Sequence, residues 1–204
     1  MQPIKNIIFD LGGVFLNINF QLTNSAFANL GVDRFAEMFN QHHSNDLFEM
    51  LEKGEISAPA FYEAFRKESG TNISDDAIRN AWNALLLDFP PERIEWLAQI
   101  KKRYNIYLFS NTNQIHYDAF MADFGKTFGG KDFNSYFIKA YYSQTLGLRK
   151  PSVASYKAII QEQGLIPAET LFIDDTIKNI EGAKEAGLQT IHLVAPNTVL
   201  DLEL

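Results

Sequence analysis

Five short apolar segments limit the folds that this chain of 204 residues can adopt. Each has the length of a strand and is mostly apolar, which is typical of strands that are buried on both faces of a parallel sheet. The segments are residues 6–11, 106–109, 137–142, 170–173 and 190–194.

Stretches with helical features separate the later segments. Residues 151–163 begin at a proline and are followed by Gly164, and residues 179–186 are followed by Gly187, as is common at helix ends. Strands that alternate with helices fold as right-handed βαβ units around a parallel sheet. We therefore expect a three-layer, Rossmann-like α/β core.

The stretch between the first two strand segments has a different pattern. It shows helical periodicity and no clear strand, and it is too long for a single crossover connection. We expect it to form an α-helical cap over residues 17–89, inserted into a core of residues 1–16 and 90–204. Residues 125–135 are predicted to form a loop, since Gly129 and Gly130 lie within them.

Composition excludes several classes of function. The net charge is −7, whereas proteins that bind nucleic acid or anionic membrane surfaces generally need a basic face. The chain has no cysteine, which excludes disulfides and thiolate metal sites. No signal peptide and no apolar run of about 20 residues is present, so we expect a cytoplasmic protein without a membrane span.

Polar residues stand where the predicted strands end. Asp10 ends the first apolar run, Ser110 and Asn111 follow the second, and Asp174 and Asp175 follow the fourth. In open α/β sheets, ligands bind outside the carboxyl ends of the strands. These side chains are therefore expected to face one crevice, which Lys150, at the start of a predicted helix, can also reach.

Such a set of side chains suits phosphate chemistry. Three neighbouring carboxylates repel one another unless a cation pairs with them, and Mg²⁺ is the usual partner when a phosphate completes its oxygen ligands. Lys150 supplies a positive charge, and Ser110 and Asn111 supply neutral donors for a phosphoryl group. A carboxylate in line with the phosphorus serves as a nucleophile.

With these motifs the chain resembles the haloacid dehalogenase (HAD) superfamily of hydrolases. The resemblance covers nearly the whole chain, and the motifs occur in the family's order. They are Phe9-Asp10-Leu11-Gly12-Gly13-Val14, Phe109-Ser110-Asn111-Thr112-Asn113, Arg149-Lys150-Pro151, and Phe172-Ile173-Asp174-Asp175 followed by Asn179-Ile180-Glu181-Gly182-Ala183. Their details look like the subgroup of bacterial glucose-1-phosphate phosphatases and, more distantly, the phosphatase domain of soluble epoxide hydrolase.

The resemblance implies a Mg²⁺-dependent phosphatase acting on a small phosphorylated metabolite, as a monomer or homodimer. Asp10 would be the nucleophile, forming an aspartyl-phosphate. The implied metal ligands are Asp10, the carbonyl of Gly12 and Asp175, with Asp174 as a ligand or as support behind the ligands. Ser110, Asn111 and Lys150 would hold the phosphoryl group, while Asn179 stands where many relatives carry an acid.

The sequence departs from the family pattern at Gly12. Most phosphatases of the superfamily carry an aspartate there that protonates the leaving group, and such a group typically contributes about 10²–10⁴-fold. We therefore expect either a good leaving group, such as the anomeric oxygen of a sugar 1-phosphate, or another residue in this role. The histidine candidates are His42, His43 and His116.

Alternative interpretations remain open at this stage. A metal-free dehalogenase would also use Asp10, but the pair Asp174-Asp175 favours a site with a cation. A protein that binds phosphate ligands without turnover is a second alternative. A phosphotransfer receiver domain is a third, although such domains carry their acidic pair after the first strand.

Overall fold

The computed structural model describes residues 3–40 and 43–204. Within them, one sheet of five parallel strands has the order β5-β4-β1-β6-β7, and two further strands form an antiparallel pair. The strands are β1 (Asn6–Phe9), β2 (Phe39–Asn40), β3 (His43–Ser44), β4 (Asn105–Ser110), β5 (Lys139–Tyr142), β6 (Thr170–Asp174) and β7 (Gln189–His192).

Helices connect these strands and account for most of the chain before β4. In the described residues they are α1 (Phe20–Asn29), α2 (Phe35–Met38), α3 (Asp46–Glu52), α4 (Ala58–Ser69), α5 (Asp75–Asn83), α6 (Pro91–Ile100), α7 (Gln114–Thr127), α8 (Ser143–Leu146), α9 (Val153–Gln163) and α10 (Ile177–Glu185). None of them is long and apolar enough to traverse a lipid bilayer.

The strands of the large sheet alternate their side chains between two apolar layers, as period-2 backbone geometry requires. Ile7 and Phe9 pack with α6 and α7 on one face. Ile8 and Phe172 pack with α9 and α10 on the other face. The predicted three-layer α/β fold with a parallel sheet is therefore confirmed.

Strand β1 occupies the centre of the sheet, where it pairs with β4 on one side and β6 on the other. The chain order reverses across β1, because β5 lies beyond β4 and β7 lies beyond β6. Ligands bind at such a switch point, outside the carboxyl ends of the strands. The topology thus singles out the end of β1, where Asp10 follows Phe9.

A third apolar cluster is built almost entirely from residues that precede α6. Aromatic rings dominate it, with Phe35 stacked on Phe27 at 4.1 Å and Trp82 edge-on to Phe39 at 4.6 Å between ring centroids. Helices α1, α2, α3, α4 and α5 contribute to this cluster, together with Ile115 of α7. These helices therefore have an apolar core separate from the two layers that cover the sheet.

Two local predictions were wrong. Strands β2 and β3 lie in the stretch predicted to be free of strands, because two residues each are too few to show an alternating pattern. The predicted loop over residues 125–135 instead begins inside α7 and ends in a 3₁₀ helix, Phe133–Tyr136. Gly125 is tolerated inside α7, and Gly129 takes a positive φ of 65° just after the helix ends.

Gly182 of α10 allows a close approach between that helix and Pro151. A Cβ at this position would stand 2.1 Å from the Pro151 carbonyl oxygen, whereas a Cβ at Gly125 of α7 meets nothing nearer than 3.9 Å. We predict that Gly182→Ala lowers the free energy of unfolding by about 1–3 kcal/mol, as overpacking does. The matched variant Gly125→Ala should raise it by up to about 1 kcal/mol, since alanine favours helix. Urea denaturation of both variants measures this, and equal effects would contradict the packing argument.

Candidate active site

The carboxyl ends of the three central strands bring the predicted side chains together. Asp10 follows β1, Ser110 ends β4 and Asp174 ends β6. The backbone N–H of Asp10 continues the sheet pairing by donating to the Ile173 carbonyl at 2.9 Å. Because β1 lies between β4 and β6, Asp10 has the central position in this set.

Lys150 is the cation at the centre of the site. Its Nζ donates to Asp10 Oδ1 at 2.6 Å and to Asp174 Oδ2 at 2.7 Å. The lysine side chain is 1% exposed and the Asp174 side chain 0%. A buried charge is tolerated only when partners of opposite charge replace water, so these three groups depend on one another.

Asn111 fixes the backbone that carries this lysine. Its side-chain Nδ2 donates to the Lys150 carbonyl, and its Oδ1 accepts from the Lys150 N–H, both at 2.9 Å. Ser110 is buried beside it, and both residues line the same cavity as Lys150. Ser143, which the sequence analysis did not identify, holds the next residue by bonding both the N–H and the carbonyl of Thr112.

Asp174 already has a partner for each carboxylate oxygen. Oδ1 accepts from the Thr176 N–H at 2.8 Å and from Asn179 Nδ2 at 3.0 Å, while Oδ2 accepts from Lys150 and again from Asn179. Asp174 does not line the cavity, although Asn179 does. The residue therefore orients Lys150 and Asn179 from behind the cavity wall.

Asp175 lies against the turn that follows Asp10. Gly13 has a φ of +73°, and a Cβ there would stand 2.4 Å from Asp175 Oδ2, so only glycine fits both the backbone and the space. Carboxylate oxygens of Asp10, Asp174 and Asp175 lie within 4.8 Å of one another. The three acids that the sequence analysis identified thus form one cluster.

The electrostatics of this cluster favour an added cation. Burial raises the pKa of Asp10 to about 7, although Lys150 opposes this effect. Burial, together with the neighbouring Asp174, also raises the pKa of Asp175. Burial opposes the charge of Lys150, but the two adjacent carboxylates raise its pKa above the usual range. Three acids share one lysine, so a divalent ion with oxygen ligands would offset the negative charge that remains when all three acids are ionised.

Gly12 lines a cavity of about 380 Å³ that Asp10 and Asp175 also line. A Cβ at this position would stand 3.0 Å from Ile18 Cδ1, so an apolar side chain occupies the space beside it. Phe20, Phe39 and Leu86 continue the apolar wall, while Ser44 and Glu49 provide polar groups. The cavity thus combines an acidic floor with a wall of mixed polarity.

The histidine candidates differ in position. His42 lies outside the described residues, and His43 is exposed and lines the cavity. His116 is 7% exposed, stacks on Trp82 at 4.4 Å and contacts Asn83 Oδ1 through Nδ1 at 2.8 Å. Burial lowers the pKa of His116 to about 3, so the ring is neutral near pH 7. His116 also lines the cavity, so its position keeps it a candidate, although its neutral state makes it a weak acid at that pH.

Comparison with known proteins identifies the family. The family model described as "haloacid dehalogenase-like hydrolase" matches residues 4–187. The chain belongs to the haloacid dehalogenase-like hydrolases. This HAD-like hydrolase is 32% identical to D-ribitol-5-phosphate phosphatase from Bacteroides thetaiotaomicron, over 92% of this chain and 90% of the relative.

Solved structures agree with this assignment. A HAD family enzyme from Bacteroides thetaiotaomicron, crystallised as an aspartate-to-alanine variant with magnesium and inorganic phosphate, superposes with a TM-score of 0.89. It is 33% identical to this HAD-like hydrolase, and the match covers 95% of this chain and 96% of that chain. A predicted HAD-like family hydrolase from Porphyromonas gingivalis has a TM-score of 0.84 and 30% identity, covering 93% and 91% of the two chains.

The lowered pKa of His116 predicts a contribution to acid sensitivity. As the pH falls below the ordinary value of 6.5, the unfolded chain binds a proton that the folded hydrolase excludes until about pH 3. Stability is therefore complete above pH 6.5 and decreases through this window, by up to about 1.4 kcal/mol per pH unit. His116→Phe keeps the stack on Trp82 but removes the titrating group. Urea denaturation at pH 7.5, 6 and 5 should show a shallower decrease for the variant, and an unchanged slope would exclude His116 as the source.

Proposed function

We propose that this hydrolase is a Mg²⁺-dependent phosphatase that removes phosphate from a small phosphomonoester through an aspartyl-phosphate on Asp10. The observation that carries the proposal is the ion pair of Lys150 with Asp10, beside Asp175, at the floor of one cavity. Phosphate transfer needs a nucleophile, fixed cations and neutral donors around a single phosphorus atom. At this site Asp10 provides the nucleophile, Lys150 the fixed cation, and Ser110 and Asn111 the neutral donors.

The acids fit Mg²⁺, which prefers a few carboxylates and leaves positions for phosphate and water. We assign Asp10, the Gly12 carbonyl and Asp175 as its ligands. Asp174 is a weaker ligand candidate, because Thr176, Asn179 and Lys150 already occupy its oxygens. When bound, the ion would neutralise phosphate oxygens and the repulsion between the acids.

The protein's own groups perform the other steps of the proposed reaction. Lys150 holds Asp10 Oδ1, which leaves Oδ2 to attack the phosphorus, while the bond from phosphorus to the ester oxygen breaks and the alcohol leaves. Ser110 and Asn111, at the end of β4, would donate to the phosphoryl oxygens, together with Lys150. Water then cleaves the aspartyl-phosphate and regenerates the carboxylate of Asp10. The pair Asp174-Asp175 favours this chemistry over a metal-free dehalogenase, since three acids with one lysine leave negative charge unbalanced.

The cavity and the relatives support a small polyhydroxylated substrate. A volume of about 380 Å³ suits a sugar or polyol phosphate, and a relative with 32% identity is a D-ribitol-5-phosphate phosphatase. Residues 17–89 are proposed as a cap whose residues contact the part of the substrate beyond the phosphate. A sugar 1-phosphate remains our specific proposal, because Gly12 provides no side chain to protonate a poor leaving group.

Substitution of the nucleophile tests the reaction type. Asp10→Asn should lower phosphate release from p-nitrophenyl phosphate by more than about 1,000-fold, the loss expected when a covalent nucleophile is removed. Asp118→Asn, at an exposed position of α7, is the matched control and should retain activity. Chelation of Mg²⁺ should abolish wild-type activity, and added Mg²⁺ should restore it. Release that continues in Asp10→Asn, or without divalent ions, would refute the proposal.

Leaving-group dependence tests the role of Gly12. Without a proton donor, kcat/KM for p-nitrophenyl phosphate and for a sugar 1-phosphate should exceed that for simple alkyl phosphates by about 10²–10⁴-fold. The double variant Gly12→Asp with Ile18→Val removes the Cδ1 atom beside position 12 and supplies an acid, so it should narrow this difference. Equal wild-type rates for alkyl and glycosyl phosphates would contradict the leaving-group proposal.

A further inference from the structure

Arg149 connects the proposed cap to the loop that carries Lys150. Its Nη1 donates to Glu49 Oε1 at 2.8 Å and to Ser44 Oγ at 3.1 Å, and its Nη2 lies 2.8 Å from Glu52 Oε2. Ser44 belongs to β3, and the two glutamates belong to α3. One side chain therefore bonds two elements that lie about 100 residues away in sequence.

Glu52 is the more buried of the two glutamates that Arg149 contacts. The Glu52 side chain is 8% exposed and the Arg149 side chain 24%. Burial raises the pKa of Glu52, and Arg149 provides the charge that opposes this shift. The planar guanidinium reaches the two carboxylates through separate nitrogens, with a hydrogen bond to Glu49 and an ion pair with Glu52.

The neighbouring residue makes the contact relevant to the site. Lys150 is held on both sides of its backbone by Asn111, and its Nζ bonds Asp10 and Asp174. Arg149 and Lys150 are adjacent in sequence but contact different pairs of acids. Arg149 contacts the two glutamates of α3, and Lys150 contacts Asp10 and Asp174. One pair contains the proposed nucleophile, and the other belongs to the helix that forms part of the cavity wall.

Backbone packing also brings the end of α3 close to α8. Gly54, just after α3, has a φ of +70°, and a Cβ there would stand 2.1 Å from the Gln144 carbonyl oxygen of α8. Helix α3 therefore approaches the α/β core closely on this side. The position of α3 is set by both this approach and the ion pairs of Arg149.

We propose that Arg149 is a positioning residue that holds α3 and β3 against the Lys150 loop, and so places the cavity wall that contacts the substrate beyond its phosphate. This inference rests on the proposed phosphatase function. The residues would then have two separate tasks. Lys150 and Asn111 would bind phosphate, whereas Arg149 would determine how well the rest of the substrate fits.

The test compares phosphate binding with substrate recognition. In Arg149→Met, kcat/KM for α-D-glucose 1-phosphate, which belongs to the substrate class proposed above, should fall about 10-fold, mainly through KM, as when an interaction with the bound substrate is lost. The inhibition constant of inorganic phosphate should change less than about 2-fold, because Arg149 and Lys150 bond different partners and effects at sites without shared partners are largely independent. Lys53→Met, at the end of α3 but paired with Glu55, is the matched control and should change neither value.

Two further measurements separate positioning from a general loss of structure. Amide hydrogen exchange of residues 43–54 should accelerate in Arg149→Met, while exchange in β1 and β6 stays unchanged. Glu52→Gln should reproduce the KM effect, and combining it with Arg149→Met should add little, as expected for partners in one interaction. If Arg149→Met does not fold, the same measurements of KM, phosphate inhibition and hydrogen exchange are made on Arg149→Lys.

The outcomes distinguish the two proposals. A parallel weakening of inorganic phosphate binding, or unchanged exchange in residues 43–54, would show that Arg149 does not position α3. Absence of phosphate release by the wild-type protein with Mg²⁺ from all phosphomonoesters tested would refute the phosphatase proposal instead. In that case the exchange comparison still decides whether Arg149 holds α3.

Discussion

The candidate site depends on one buried cation that two strands share. Lys150 bonds Asp10 after β1 and Asp174 at the end of β6, and it comes from a loop that belongs to neither strand. Removing one partner of a buried ion pair typically costs about 3–5 kcal/mol, because the other charge is left without compensation. The surrounding contacts serve this arrangement: Asn111 fixes the lysine backbone, while Asn179 and Thr176 fix Asp174.

The same arrangement leaves Asp10 suited to chemistry. One oxygen faces the lysine, and the pKa of the carboxyl is raised because it is buried with two other acids. Burial is the main cause of this rise, the charge of Lys150 opposes it, and the charges of Asp174 and Asp175 add to it. The related enzyme from Bacteroides thetaiotaomicron, which is 33% identical, has been crystallised with magnesium and inorganic phosphate.

Much of this could be predicted from the sequence, for a topological reason. The carboxyl ends of parallel strands meet at one edge, so Asp10, Ser110 and Asp174 converge whatever the details of the helices between them. Contacts of the proposed cap were harder to predict from the sequence. Strands β2 and β3 are too short to recognise, and the partners of Arg149 depend on how α3 packs against the core. The buried state of His116 was also missed, because its neighbours Trp82 and Asn83 come from a different helix. The assigned roles of the site residues and the domain boundaries stay predictions.

The two sides of the proposed cap contact the core through different kinds of side chain. On the side of α5 and α7, aromatic rings pack with Ile115. Separating them exposes apolar surface to water, which costs about 25 cal/mol of free energy per Å². On the side of α3, ionic and polar groups meet, and water can replace their partners at lower cost. Separating the proposed cap from the core would therefore cost less free energy at the ionic contacts of α3 than at the aromatic contacts of α5.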